Sequence, residues 1–292
     1  MKFRVNWAVW LMMGSLFMSP VALAAYDTEL FYTLESTDYD DQTERTDGTF
    51  VYTQHLGGVN TQNKPLAEAP YLHRSRQLDL SAFGAEIEYS NGEDYLIGGG
   101  EAAYTHRKLA SSLILGASYG YARHKYRTAG GSTIYNVDVT GLELKAGWYL
   151  EYAMSATVSL VKTDYDFSTN SRRDYETTDL IVDIKKIMKP KSNNAINLEG
   201  RVGLLEYGAD KKENTGLRAI ADYYLNRSMS LGIMYEKEFG DEIEYEGTTT
   251  ALRGRFFITR QLSLRFEFES FSADDNRVAD YDQKEVGVAY RF

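Results

Sequence analysis

Residues 262–269 read Leu-Ser-Leu-Arg-Phe-Glu-Phe-Glu. Leu262, Leu264, Phe266 and Phe268 share one parity, and Ser263, Arg265, Glu267 and Glu269 share the other. Successive side chains of a strand point to opposite faces, so this stretch has one greasy face and one polar, charged face. The same period recurs outward along the chain. Ile196, Leu198, Gly200, Val202 and Leu204 oppose Asn197, Glu199, Arg201 and Gly203, and Met229, Leu231, Ile233 and Tyr235 oppose Ser230, Gly232, Met234 and Glu236. Helical spacing is hard to find after Tyr26. The pattern predicts about 14 strands, within a range of roughly 12 to 16, separated by polar turns. In two of them, near 75–90 and 134–150, the apolar parity slips. Leu78 and Leu80 give way to Phe83, Ala85 and Ile87, and Val137 and Val139 to Leu142 and Leu144. A β-bulge is the expected cause.

The connections carry independent information. Glu151, Asn226-Arg227 and Arg260 lie in tight turns, whereas 38–48, 164–177, 208–214, 240–247 and 272–281 are longer and mostly acidic. Short periplasmic turns alternating with longer extracellular loops describe an all-β, transmembrane, antiparallel up-and-down barrel. One connection, 57–74, lies on the short-turn side yet contains NTQNKPLAEAPYLHR, from which an ordered periplasmic insert or a further short strand is expected. Tyrosines near strand ends, among them Tyr26, Tyr104, Tyr149, Tyr223 and Tyr235, together with Trp148, read as rings at the headgroup level. The competing architecture, a soluble β-sandwich, must interdigitate two large apolar faces, and many outward positions here are Gly or Ala.

The 292 residues carry 32 Lys and Arg against 42 Asp and Glu, a formal charge of -10, and no Cys. A disulfide scaffold and a thiolate metal site are excluded. The acidic balance argues against a nucleic-acid partner, because phosphate contacts need clustered cations. Residues 1–24 contain Lys2 and Arg4, then an uncharged apolar run ending Ala22-Leu23-Ala24, as in a secretory signal that is removed. A single barrel domain over 25–292 remains, with 30 basic and 42 acidic side chains and a charge of -12. Any membrane crossing there is made by strands, since no later stretch approaches the roughly 18 consecutive apolar residues a helix needs.

The closing residues EVGVAYRF place Val286, Val288, Tyr290 and Phe292 on one face. This resembles the C-terminal assembly signal of Gram-negative outer-membrane proteins, which implies that the barrel-assembly machinery reads Phe292. Pro65-Leu66-Ala67-Glu68-Ala69-Pro70-Tyr71-Leu72 resembles a segment of the putative general bacterial porins. Membership implies passive diffusion of small hydrophilic solutes across the Gram-negative outer membrane. The chain is shorter than the large trimeric porins, and the connection 125–133 is too brief to fold inward as their constriction loop does.

With apolar side chains toward lipid, the opposite parity faces the lumen. The expected pore-lining cations are Arg201, Arg218, Arg253, Arg255, Arg265 and Arg291, all in the last six strands, and the acids include Glu199, Asp222, Glu267, Glu269 and Glu285. An Arg-rich wall facing a carboxylate-rich wall would orient dipolar solutes by a transverse field. The opposing expectation is that these charges pair and plug a narrow barrel, leaving a closed protein with a structural, adhesive or lipopolysaccharide-interacting role. No cofactor, metal or catalytic group is expected. Of His55, His73, His106 and His124, only His124 is placed at the outer rim, and Ser118 and Ser112 lie roughly 20 and 40 Å down its strand.

Overall fold

The computed structural model describes residues 25–292 except 41–42, 63, 108–111, 169–173, 190–193, 241–245 and 276–277. The expected signal, 1–24, lies outside the described residues. Fourteen antiparallel strands, β1 (Ala25–Tyr39), β2 (Glu44–Asn60), β3 (Arg76–Glu88), β4 (Asp94–Arg107), β5 (Leu113–Arg127), β6 (Thr133–Glu151), β7 (Met154–Phe167), β8 (Tyr175–Met188), β9 (Ile196–Tyr207), β10 (Lys212–Asn226), β11 (Met229–Gly240), β12 (Gly247–Phe257), β13 (Leu262–Ala273) and β14 (Tyr281–Arg291), each pair with their sequence neighbours. Leu30 opposite Tyr290 and Leu34 opposite Val286 join β1 to β14 and close the barrel. Closure leaves no unpaired edge, which is the condition for strands to cross a bilayer.

An even strand number puts both chain ends at one end of the barrel, here called the terminal end; the other is the far end. Outward side chains at mid-height are apolar and exposed, as at Leu142, Leu144, Leu160, Val202, Ile233 and Phe268. From Leu142 to Leu150 this belt covers eight residue steps along β6, close to the roughly 9–11 residues a tilted membrane strand needs. Most strands, up to the 19 residues of β6, exceed that span. The surplus stands beyond the far side of the belt.

The expected bulges in β3 and β6 are absent: β2, β3 and β4 pair without a shift from Arg76 to Glu88, and β6 pairs continuously with β7 from Val137 to Tyr149. Alternation simply continues. Phe83, Ala85, Ile87, Val137 and Val139 therefore face the bore, and Val137 is buried. Register shifts instead fall at strand ends, at Tyr26/Thr28, Tyr126/Arg127, Tyr149/Glu151 and Tyr224/Asn226. Tyr104, Trp148, Tyr223 and Tyr235 are exposed outward as expected. Tyr26 and Tyr149 are corrections: both are buried inside the terminal end, where they pack on charged groups rather than on headgroups.

Candidate functional site: the bore and its terminal mouth

The described residues of the connection 61–75 form an insert with a short helix, α1 (Ala69–His73), that folds inward across the terminal mouth. It leaves the wall between β2 and β3 and reaches the wall opposite. Leu66 donates its N–H to the Arg227 carbonyl in the β10–β11 turn at 2.9 Å, and Arg227 Nε donates to the Lys64 carbonyl at 3.0 Å. Tyr224 on β10 donates to Glu68 at 2.7 Å, while Lys185 on β8 lies 2.8 Å from the other Glu68 oxygen. Tyr71 donates to Ser155 on β7 at 3.1 Å, and Tyr149 on β6 donates to the Tyr71 carbonyl at 3.4 Å. Burial pushes the Tyr71 hydroxyl up to about 12, so at physiological pH it remains a donor. Leu72, 1% exposed, packs with Ala153, Ile187, Ala195 and Tyr224 in an apolar plug. Here four strands, β6, β7, β8 and β10, and three of the connections between strands hold one segment by both apolar and charged contacts. The far-end connection 128–132, by contrast, is a tight turn closed by Gly131 N–H to the Thr128 carbonyl.

The six arginines expected in the bore lie on the parity opposite the exposed apolar belt, and each lies beside a carboxylate. Arg201 is 2.7 Å from Asp183, Arg218 3.6 Å from Glu236, Arg253 3.0 Å from Asp222 and Arg255 3.2 Å from Glu29. Arg265 lies 2.8 Å from Glu267 and 3.2 Å from Glu285. The two charge signs therefore interleave on β8–β14 and β1 instead of occupying opposite walls. Arg201, Arg265 and Arg218 keep 45%, 35% and 31% of their side chains open to the bore. Arg291 is 1% exposed: it pairs with Glu29, donates to the Leu66 carbonyl at 3.0 Å and lies over the Tyr26 and Phe257 rings, so it anchors the insert.

Glycine makes one of these pairs possible. Asp222, Gly232 and Arg253 stand in one row on β10, β11 and β12. A Cβ on Gly232 would sit 2.1 Å from Asp222 Oδ1, so only glycine lets Arg253 reach across β11. Gly232→Val should force the pair apart. Leaving a buried carboxylate without its cation costs about 3–5 kcal/mol. Thermal unfolding of the purified variant, followed by circular dichroism, should show a clear loss; an unchanged midpoint would show that the row tolerates a side chain.

Glu68, Glu199 and Asp222 bring three carboxylate oxygens within 4.8 Å of one another. Lys185 lies 2.8 Å from Glu199 as well as from Glu68, and Asn197 donates to Glu199 at 2.8 Å and to Asp222 at 2.9 Å. Arg253 completes the arrangement, which is an ion-pair network joining insert to wall. Sequence reading missed Glu68 and Lys185, whose roles depend on where the insert lands. His55 Nδ1 lies 3.1 Å from Ser75 Oγ, but both residues are buried and the pair ties β2 to the insert's end. His124 bonds the Tyr95 hydroxyl through Nδ1 at 2.6 Å.

A family model described as putative general bacterial porin matches residues 8–292. The outer membrane protein Omp33 of Acinetobacter baumannii superposes with a TM-score of 0.59 at 15% identity, over 92% of this chain and 99% of that one. The CymD monoaromatic hydrocarbon channel superposes at 0.61 with 8% identity, over 91% and 89%. The Pseudomonas putida toluene transporter TodX does so at 0.53 with 7% identity, over 95% and 93%. At these identities the likeness is one of fold. No curated protein matches the sequence.

Proposed function

The chain belongs to the putative general bacterial porin family and is a porin-like channel of the bacterial outer membrane, and we propose that small hydrophilic solutes diffuse through its charged lumen, with the 61–75 insert limiting their exit. The observation that carries this reading is the polarity of the wall: an apolar belt outside, rows of ionic side chains inside. The terminal end is assigned to the periplasm, where both chain ends and the tight turns 152–153, 227–228 and 258–261 lie. Arg201, Arg218 and Arg265 act as the water-facing cations, set against Glu199, Asp222, Glu267, Glu269 and Glu285. Arg253, Arg255 and Arg291 hold the wall and the insert in place. Residues 1–24 serve as the export signal of a Gram-negative cell. Phe292, exposed outward beside Tyr290, offers the aromatic end that barrel assembly reads. Lipid covers the belt, and lipopolysaccharide surrounds the polar rim above it. Transport, and no catalysis, is assigned to the protein.

Purified, refolded protein in planar bilayers should give stable ion steps. The absence of steps over a range of salts and voltages would overturn the channel reading in favour of a closed barrel with a structural, adhesive or lipopolysaccharide-interacting role, which the insert across the mouth favours. Replacing Arg201, Arg218 and Arg265 together by Gln leaves Asp183, Glu236, Glu267 and Glu285 without their cations. Reversal potentials in a KCl gradient should move toward the potassium value, because the bore then attracts cations. Unmoved potentials would remove the filter role from these three residues.

A further inference from the structure

Above the apolar belt the wall turns inside out. On β5–β8 the outward residues become charged and pair, Arg123 with Asp138 at 2.6 Å and Lys162 with Glu176 at 2.8 Å. The inward residues of the same levels are rings. Tyr126 and Tyr135 stack at 5.4 Å, and Tyr165 and Tyr175 stack at 4.5 Å. Because these strands run on without a bulge until Tyr126, the exchange of faces is written in the side chains. A membrane-embedded wall has no use for charge outside and rings inside. This pattern suits a cup that stands in water and shelters something apolar.

The opposite wall of the cup contains a cavity of about 420 Å³, within the size range of small-molecule sites. Tyr39, Phe271 and Tyr281 form a ring cluster there, with centroids 5.3 Å apart for Tyr39 and Tyr281 and 4.9 Å for Phe271 and Tyr281. Glu236, Glu238 and Glu269 share the lining. Among the described residues Arg218 is the one cation within ion-pair distance of these three acids, 3.6 Å from Glu236. Glu238 accepts from Asn214 at 2.9 Å and Glu269 from Tyr281 at 3.4 Å, bonds that hold the carboxylates in place without cancelling their charge. Rings supply a face for flat apolar groups and a negative quadrupole for cations, and the surplus carboxylates set the sign of the charge they accept.

We propose that this cavity is a binding site for solutes that join a flat ring to an ammonium group, captured at the outer mouth before they enter the bore. The inference deepens the channel reading in that it takes the far end to open outward, but binding itself requires no conduction. Benzylammonium is the probe, titrated into the full-length protein in detergent by calorimetry, with benzoate and tetramethylammonium as controls. The wild type should bind benzylammonium and ignore benzoate, with tetramethylammonium weaker by about tenfold because it lacks the ring. Tyr281→Leu, which removes one ring, and Glu238→Gln with Glu269→Gln, which remove charge, should each weaken benzylammonium by about tenfold while the heat-dependent gel shift of the folded barrel persists. Equal binding of benzoate, no binding of benzylammonium, or binding unaffected in both variants overturns the proposal. A folded barrel that conducts ions but does not bind the probe refutes the site alone; one that binds but never conducts refutes the channel and leaves the site.

Discussion

Replacing residues 61–74 with a short glycine–serine linker is expected to raise single-channel conductance at least about threefold, because the barrel then loses the only segment among its described residues that crosses the bore. The wall should survive the change. Every strand keeps its neighbours, and β2 and β3 still pair from Glu44 opposite Glu88 to Leu56 opposite Arg76. The insert itself is held by some eight polar contacts and by Leu72 in its apolar socket, so no single substitution opens the mouth as completely as its removal. A milder version tests the same idea. Glu68→Gln deprives Lys185 and Tyr224 of their shared carboxylate and should produce flickering between two conductance levels, as one anchor of several fails. Equal conductance of linker variant and wild type would mean that ions already bypass the insert, and the constriction would then lie among the paired charges of β8–β14.

How far the sequence carried this picture differs between wall and lumen. The wall was legible because membrane strands obey a local rule: Leu262 to Phe268 and Glu285 to Phe292 state their faces within a few residues. Strand number and order followed from counting such segments. The bulges expected in β3 and β6 failed for an instructive reason. Parity was read on the premise that apolar means outward along the whole strand, and that premise holds only at the height of the hydrocarbon. Above it, Phe83 and Val137 turn inward while Glu86 and Asp138 turn outward, so the slip marks where the membrane ends, not where the backbone kinks. Gly99 carries the same lesson, since a Cβ there would lie 2.7 Å from the inward-facing Phe83 ring.

The lumen was legible only as a list of charges. Parity gives Arg253 and Asp222 an inward direction, but not a partner two strands away reached over Gly232. It gives nothing at all for Glu68, which belongs to no strand and meets Lys185 because an irregular segment crosses the barrel. The turn lengths misled in part for the same reason. The strand ends joined by 61–75 and by 189–195 lie at the terminal end, and both connections are longer in sequence than the 208–211 turn opposite, so loop length alone does not assign the sides of this barrel.

Arg291→Leu is expected to be the most damaging single substitution in the bore. Its guanidinium is 1% exposed and joins three parts of the molecule: Glu29 on β1, across the seam that closes the barrel; the Leu66 carbonyl of the insert; and the Tyr26 and Phe257 rings. Leucine fills part of the space but leaves Glu29 with Arg255 alone, at 3.2 Å, and strips the carbonyl of its donor. Breaking one side of a buried pair costs about 3–5 kcal/mol, which for a chain of this size corresponds to a fall of on the order of 10 °C in the temperature at which the folded gel band is lost. A conservative substitution makes the test specific. Arg291→Lys keeps a cation beside Glu29 without touching the Glu29–Arg255 pair, so it should melt above Arg291→Leu, whereas equal losses in the two variants would show that the arginine acts through packing on the two rings. Since the same side chain holds both seam and insert, Arg291→Leu should also conduct more than wild type at temperatures where it is still folded, linking the stability of closure to the width of the exit.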